Sequence, residues 1–472
     1  MADDLDWQTF MQVPRLAALR QQGTTFTNHV VTASLCCPSR ASVLRSQFVH
    51  NHMVVSNMQA SGGGWPTFEA RGEHLDCLPT WLSGAGARTA LIGKYLNEFP
   101  GPGDSKTYIP PGWSTWVVPT RNGYEGYNYT LNTNGVLRKY GKAPADYLND
   151  VLNKNAVSFI QTTKQPFFLE LTPYAPHWPA PVAPRHLLAD SNAAVPRTGN
   201  YGVIGTNEPS WLAGIPALTP ERIANMDLLW RKRVRSAEAV ADSVATVMTA
   251  LRAAGKADST LVLITADNGF HAGQHRLSAG KRTAFSEDTV VPLVAIGPGV
   301  ARGATVSAIT STIDFGPTIA SILKAPTPSW VDGRSLLPML RQPVTPTNWR
   351  TATLTENDGD SLPGDPDYSV QGPPKYVAMR SNQWLLVLYA NGERELYDEV
   401  TDPYELNNVV DSTNPAIVEA LTRQAQALAV CTGATCRDAD AMPQPAPMPD
   451  VTTSATPSAT PSATPSVSPN AS

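Results

Sequence analysis

The chain has 472 residues, enough to bury a large core and to form about two or three domains. Apolar residues make up 42% of it, and the formal net charge is −4, so no overall basic field suits nucleic acid or a membrane surface. No apolar run is long enough to span a bilayer, and the five cysteines are too sparse for a disulfide scaffold.

Met1 leads straight into Ala2-Asp3-Asp4 with no signal-peptide pattern. Paired carboxylates suit a hard divalent cation; alone, Asp3-Asp4 also reads as a solvated acidic end. Phe10, Val13, Leu16 and Leu19 form the stripe of one amphipathic helix. The stretch Cys36-Cys37-Pro38-Ser39-Arg40 precedes the apolar-periodic Ala41, Val43 and Leu44. It reads as a loop feeding a helix with Ser39 as N-cap. Cys36 then lies near a helix N-terminus, where free N–H groups and Arg40 favour an oxyanion. The plainer alternative is a cap beside a buried thiol.

Arg88 to Lys94 reads as a strand that delivers Lys94 at its C-terminal end, where ligands of open α/β sheets bind. Pro144 to Thr163 reads as a helix. Pro166 to Leu171 reads as a strand that runs into Tyr174-Ala175-Pro176-His177-Trp178-Pro179, so His177 is held among prolines just past a strand end. Residues 181–216 read as loops, and Thr219-Pro220-Glu221 opens a long helix with a core stripe from Trp230 to Leu251. Thr260 to Ile264 is the apolar strand of a covered sheet and ends in Asp267-Asn268-Gly269. Those side chains offer two oxygen ligands, although Asp-Asn-Gly is also a common turn. Val291 to Ile296 reads as a strand, and Asp314 to Leu323 as a helix. Short strands follow at Tyr376–Arg380, Trp384–Tyr389 and Glu395–Tyr397, with Asn391-Gly392 a hairpin turn, then a helix from about Pro415 to Ala429. Cys431 and Cys436 either pair or remain two free thiols. From Pro443 the composition is that of a disordered tail. The expected units are residues 1–345, a small α+β unit at 346–440 and the tail at 441–472.

The pattern C-x-P-S-R-x-x-x-L, Cys36 to Leu44, resembles the type I, formylglycine-dependent sulfatases. Phe48 to His52 and Gly93-Lys94-Tyr95-Leu96-Asn97 resemble the N-acetylglucosamine-6-sulfatase branch. Asp3-Asp4, Asp267-Asn268-Gly269, the segment His275 to Arg282, Asp332 to Leu336 and the motifs at Glu395 to Asp398 and Asp402 to Leu406 keep the family's order. Three positions depart from the family pattern: Arg45-Ser46 follows Leu44, where Thr-Gly is usual, and Leu96 stands where many members have histidine.

The resemblance covers roughly Ala2 to Cys436 and implies an alkaline-phosphatase-like α/β fold. That fold has a large, mostly parallel sheet flanked by helices and a smaller C-terminal unit with a short antiparallel sheet. It implies a sulfuric ester hydrolase in which a formylglycine-generating enzyme converts Cys36 to formylglycine (3-oxoalanine), whose hydrate is the nucleophile. It implies calcium held by Asp3, Asp4, Asp267 and Asn268, with the modified Cys36 touching the ion. Arg40, Lys94 and Lys281 would neutralise the sulfate, and His177 or Lys281 would protonate the leaving oxygen; His52 and His271 are candidate bases. The implied substrate is a sulfated carbohydrate of the N-acetylglucosamine-6-sulfate kind, or an aryl sulfate, in a secreted, periplasmic or cell-surface setting. A related phosphodiester or phosphonate hydrolase and an inactive carbohydrate-binding protein are the alternatives. In the family a buried strand runs into the Asp-Asp pair. Only Met1-Ala2 precede it here, so Asp3 and Asp4 are expected to be frayed.

Overall fold

The computed structural model describes residues 1–445 except positions 191, 361, 366 and 370. The expected tail therefore lies almost wholly outside the described residues.

The core is a layer of two mixed sheets. In the first, the strand order is Val136–Lys139, Thr130–Thr133, Thr115–Arg121, Arg88–Gly93 and Phe167–Thr172. Arg88–Gly93 is parallel to both its neighbours, and the two outer strands add on antiparallel. In the second, the order is Ala304–Val306, Thr24–Phe26, Leu293–Ile296 and Val262–Thr265. Here Leu293–Ile296 runs antiparallel to both its neighbours. The chain start joins the two sheets. The Met1 amino group donates to Leu171 O at 2.9 Å, Ala2 N donates to Thr265 O at 2.8 Å, and Ala2 and Asp3 form parallel bridges to Ala266 and Pro176.

Because side chains alternate along a strand, each face of the layer meets a different set of helices. Ala90, Ile92 and Val117 pack with Leu148, Leu152 and Phe159 of the Leu148–Thr162 helix. Leu91, Trp116 and Val118 pack on the other side with Cys37, Ala41 and Leu44 of the Cys36–Arg45 helix. The Pro220–Ala253 helix lays Val234, Ala237 and Ala241 over Ile264 and Val294. Each fully buried Leu, Ile or Phe here is worth about 1.5–3 kcal/mol. The stripe Phe10, Val13, Leu16 and Leu19 is buried, but not as one helix. The chain forms Trp7–Gln12 and then Pro14–Ala17, with Val13 extended at ψ 104° between them. Pro14 has no N–H to continue the first helix and instead starts the second.

The C-terminal sheet is antiparallel, in the order Ala352–Asn357, Tyr376–Ser381, Trp384–Tyr389 and Arg394–Asp398. One face carries Leu354, Met379, Leu386 and Leu396 against Val418, Leu421 and Leu428 of the Pro415–Leu428 helix. The other carries Ala378, Leu385, Val387 and Tyr397 against Leu277, Ala284 and Phe285. The small sheet thus backs the segment that contains Lys281. Cys431 and Cys436 form a disulfide below the helix that covers it.

Glu395 is fully buried between this sheet and the core, where it accepts hydrogen bonds from Tyr389 Oη at 2.7 Å and Tyr397 Oη at 3.1 Å. Burial raises its pKa to about 8, and burial likewise raises that of the nearby Glu208 to about 7. Between the ordinary carboxylate value and these raised ones, the folded state holds protons that the unfolded chain has lost. Stability must therefore fall as pH rises through that window. Glu395→Gln is expected to make the fall in Tm from about pH 5 to pH 8 shallower. Thermal unfolding across that range checks it, and an unchanged slope would place the proton elsewhere.

Candidate active site

The nine residues singled out in the sequence come together beyond the C-terminal ends of the strands, where ligands of open α/β sheets are held. Lys94 follows Arg88–Gly93, His177 follows Phe167–Thr172, and Asp267-Asn268 follow Val262–Thr265. Asp3 and Asp4 lie between these strand ends and are not frayed. Asp3 N donates to Ala175 O at 3.4 Å, Asp267 N donates to Ala2 O at 3.1 Å, and Asp4 N donates to Asp267 Oδ1 at 3.0 Å. Arg233 Nη2 closes on Asp4 O at 2.6 Å. Asp4 sits in the left-handed region, φ 61°, a strained conformation for a residue with a side chain, and these bonds hold it there.

The Cys36–Arg45 helix begins one turn earlier than the sequence suggests. Leu35 is the extended N-cap, and Ser39 is already helical, its N–H donating to Leu35 O at 3.1 Å. Pro38 fits the first turn because the N–H it lacks would have had no partner within the helix. The Ser39 hydroxyl instead donates to Asp267 O at 2.5 Å, tying the helix to the end of Val262–Thr265. Cys36 is thus the first residue of a helix that is buried throughout. The free Cys37 N–H is taken by Asn57 Oδ1 at 3.0 Å.

Around the Cys36 thiol the charges interleave. Lys281 Nζ lies 2.9 Å from Cys36 Sγ, 2.6 Å from Asp4 Oδ1 and 3.1 Å from Asp367 Oδ2. Lys94 Nζ contacts both Asp3 oxygens, at 2.9 and 2.8 Å. Arg40 Nε donates to Asp267 Oδ2 at 2.8 Å and its Nη1 to Lys94 O at 3.1 Å. Arg40 Nη2 stands 3.7 Å from Asp3 Oδ1, too far for a hydrogen bond. His177 Nε2 lies 3.3 Å from Asp367 Oδ1 and 3.6 Å from Asp4 Oδ2, while its Nδ1 meets Trp178 O at 2.6 Å. All of these side chains are less than a tenth exposed.

Burial and charge pull the protonation states apart. Burial lifts the Cys36 thiol well above the ordinary range, with Lys281 and Lys94 only partly offsetting it. Burial raises Asp3, whereas at Asp267 burial is outweighed by Arg40 and the lysines, which hold it low. At Lys281 burial is overcome by Asp367 and Asp4, and at Lys94 by Asp3, so both stay charged. His177 is raised likewise, burial being outweighed by Asp4, Asp3 and Asp367.

The site has room in its chemistry for a hard cation. Donor atoms of Asp3, Asp4, Cys36 and His177 lie within 4.8 Å of one another. Asn268 Nδ2 donates to Asp4 Oδ1 at 2.7 Å, leaving Asn268 Oδ1 buried with no hydrogen-bond partner. The carboxylates of Asp3 and Asp4 and the unpaired amide oxygen of Asn268 are hard oxygen donors of the kind calcium takes.

Three further residues escaped the sequence reading. Asp367 comes from the loop between two strands of the C-terminal sheet and contacts Lys281 and His177. Asn57 donates to Asp367 Oδ2 at 2.9 Å. Tyr124 packs its ring 4.5 Å from that of His177 and 5.1 Å from Lys94 Nζ. Asp365-Pro366-Asp367, acidic residues in a Gly/Pro-rich stretch, was the one visible hint. His52 and His271 are occupied elsewhere, with Ser42 Oγ at 2.8 Å and Asp288 at 2.9 Å.

The sulfatase family model matches residues 3–325, and a model described as N-sulphoglucosamine sulphohydrolase, C-terminal, matches residues 273–430. The chain is similar to the N-acetylglucosamine-6-sulfatases of Capra hircus and Homo sapiens. Each is 33% identical over 456 residues, or 89% of this chain, and the match covers 80% and 81% of those proteins. An arylsulfatase of Volvox carteri is 29% identical over 89% of this chain and 71% of its own length. Among solved structures, a protein in complex with its substrate D-glucosamine-2-N,6-O-disulfate superposes with a TM-score of 0.76 at 22% identity. That match covers 93% of this chain and 98% of the other.

Arg40 is buried in this network, and its removal strands Asp267 without its closest counter-charge. Arg40→Ala is expected to lower unfolding stability by about 3–5 kcal/mol. Arg40→Lys, which keeps the charge but not the paired donation to Asp267 and Lys94 O, should lose less. Urea unfolding of the two variants checks the order, and equal losses would assign the effect to packing.

Proposed function

The chain belongs to the sulfatase family, in the N-acetylglucosamine-6-sulfatase branch, and is a sulfatase; on that footing we propose that it hydrolyses the 6-sulfate ester of an N-acetylglucosamine-like carbohydrate. The observation that carries the reading is the packing of Cys36, Lys281, Lys94, Arg40 and His177 into one buried pocket. Relatives named N-acetylglucosamine-6-sulfatase support the sugar.

A sulfate ester resists attack because anionic oxygens shield the sulfur. Lys281 and Lys94 offer ammonium groups to those oxygens, and Arg40 secures the carboxylates behind them. Asp4, Asp3 and Asp367 outweigh burial and favour the protonated form of His177, which can donate a proton to the departing sugar oxygen. Tyr124 and the bond from Nδ1 to Trp178 O fix the ring for that transfer. Calcium, held by oxygens of Asp3, Asp4, Asp267 and Asn268, would supply Lewis-acid polarisation. The Cys36 thiol is poorly ionised at neutral pH; converted to formylglycine by a generating enzyme, it would supply a hydrated aldehyde as the nucleophile. The Cys431–Cys436 disulfide supports export to an oxidising compartment. We assign the catalytic unit to residues 1–345 and the supporting α+β unit to 346–440.

After co-expression with a formylglycine-generating enzyme, the peptide containing Cys36 should be lighter by the difference between a thiol and an aldehyde side chain. Cys36→Ala should lose turnover of N-acetylglucosamine-6-sulfate by several orders of magnitude. Active protein with an intact Cys36 thiol would sink the mechanism, and faster hydrolysis of a phosphonate monoester would move the chain to that chemistry. Asp267→Ala is expected to lose calcium binding and turnover together, measured by metal analysis and assay. Stoichiometric calcium in that variant would exclude Asp267 as a ligand.

A further inference from the structure

The segment that carries Lys281 is fastened on both sides of that lysine to a second buried cluster, which shares no residue with the Cys36 pocket. His275 precedes Lys281, Glu287 follows it, and Glu405 comes from the C-terminal unit. A ring nitrogen of His275 and carboxylate oxygens of Glu287 and Glu405 lie within 4.8 Å of one another. His275 is 0% exposed and Glu405 1%. The imidazole stacks on Phe285, ring centroids 3.9 Å apart, which fixes its direction. Burial pushes its pKa down to about 4, so it is neutral and offers a lone pair. The hydrogen bonding in the cluster does not balance. Asn200 Nδ2 stands 2.9 Å from Glu287 Oε1, 3.2 Å from His275 Nε2 and 3.3 Å from Tyr404 O. An amide nitrogen has two hydrogens, so it cannot serve all three. His275 Nδ1 and Glu287 Oε2 are buried with no hydrogen-bond partner. Nor does the charge balance. Arg380 is divided between Glu399 at 2.6 Å and Glu405 at 2.8 Å, while Glu287 meets the neutral Asn200 amide. Burial and the charge of Glu405 hold the Glu287 carboxyl above its usual range, as for a carboxylate short of a cation.

We propose that His275, Glu287 and Glu405 bind a divalent transition-metal ion, with zinc the fitting one, which pins the Lys281 segment to the C-terminal unit. One imidazole nitrogen with two carboxylates is a donor set that zinc takes, whereas calcium takes oxygens. Bonds of about 2.0–2.2 Å in a tetrahedron set ligand atoms about 3.4 Å apart, so the three atoms need draw in by no more than about 1.4 Å. A turn of the Asn200 amide would exchange Oδ1 for Nδ2 and bring a fourth donor. Thr198 Oγ1, 2.8 Å from Oδ1, can accept from the turned amide as readily as it donates now. The ion would supply the charge that Glu287 lacks and join stretches far apart in sequence.

The test uses the full chain, kept in excess calcium, incubated with zinc chloride and then desalted. Metal analysis should find one zinc per chain in the wild type, with affinity at least about tenfold weaker in His275→Phe and in Glu287→Gln. Saturating zinc should raise the Tm of the wild type by about 3 °C and leave that of both variants unchanged. No bound zinc, or zinc held as tightly by either variant, would overturn the site. Zinc that is lost with Asp267→Ala and kept in Glu287→Gln belongs to the Cys36 pocket and would overturn it too. If the two variants fail to fold, anomalous scattering from zinc-soaked wild-type crystals decides. A peak between His275, Glu287 and Glu405 supports the proposal, and its absence there overturns it.

Discussion

Four carboxylates, Asp3, Asp4, Asp267 and Asp367, share one buried pocket, and none could be ionised there without a cation in contact. The rest of the structure follows from that requirement. Arg40 must come from the first turns of a helix aimed at the strand ends, which fixes where the Cys36–Arg45 helix starts and which sheet face it covers. Lys94 must arrive at the end of Arg88–Gly93, beside Asp3. The start of the chain must sit between the two sheets, because only there do the Ala2 and Asp3 backbones find partners in Thr265, Asp267 and Ala175.

The small C-terminal sheet is part of this arrangement and not an appendage. Its inner face packs on Leu277, Ala284 and Phe285, the residues that flank Lys281. Arg380 on that sheet donates to Ala284 O at 3.1 Å and to Glu405 Oε1 at 2.8 Å, and the Glu405 carboxylate accepts from Ser286. A shift of the sheet would therefore move the Lys281 segment, and the loop bearing Asp367 leaves from the same sheet.

Most of the site was legible because charged residues at strand ends are visible in sequence. Lys94, His177 and Asp267-Asn268 each follow an apolar strand, and strands of that kind announce themselves by composition. The family resemblance supplied Asp3, Asp4 and Lys281, which periodicity alone could not. Short strands such as Thr24–Phe26 and Ala304–Val306 were not legible, since three residues carry no period and owe their state to neighbours distant in sequence. Asp367, Asn57 and Tyr124 were missed for a related reason. They lie in loops, where nothing local tells a residue that faces the pocket from one that faces water. The misplaced N-cap at Ser39 came from weighting side-chain type over the tolerance of a first helical turn for Pro38.

The charge balance bears on what the pocket can accept. With His177 protonated, Arg40, Lys94, Lys281 and His177 match Asp3, Asp4, Asp267 and Asp367 one for one, so the protein alone is close to neutral there. A sulfate ester entering that neutral pocket brings one negative charge into a medium where an uncompensated ion is expensive. It would also compete with Asp367 for His177 and for Lys281, the cation in contact with Cys36. A dication on the oxygens of Asp3, Asp4, Asp267 and Asn268 would reverse the balance, leaving two positive charges before substrate binds and one after. It would also release Lys281 and Lys94 from Asp4 and Asp3, and so turn them toward the substrate oxygens. Asp3 and Asp4, the carboxylates that hold Lys94 and Lys281, are thus the ones that a dication would have to occupy before those lysines could serve a substrate.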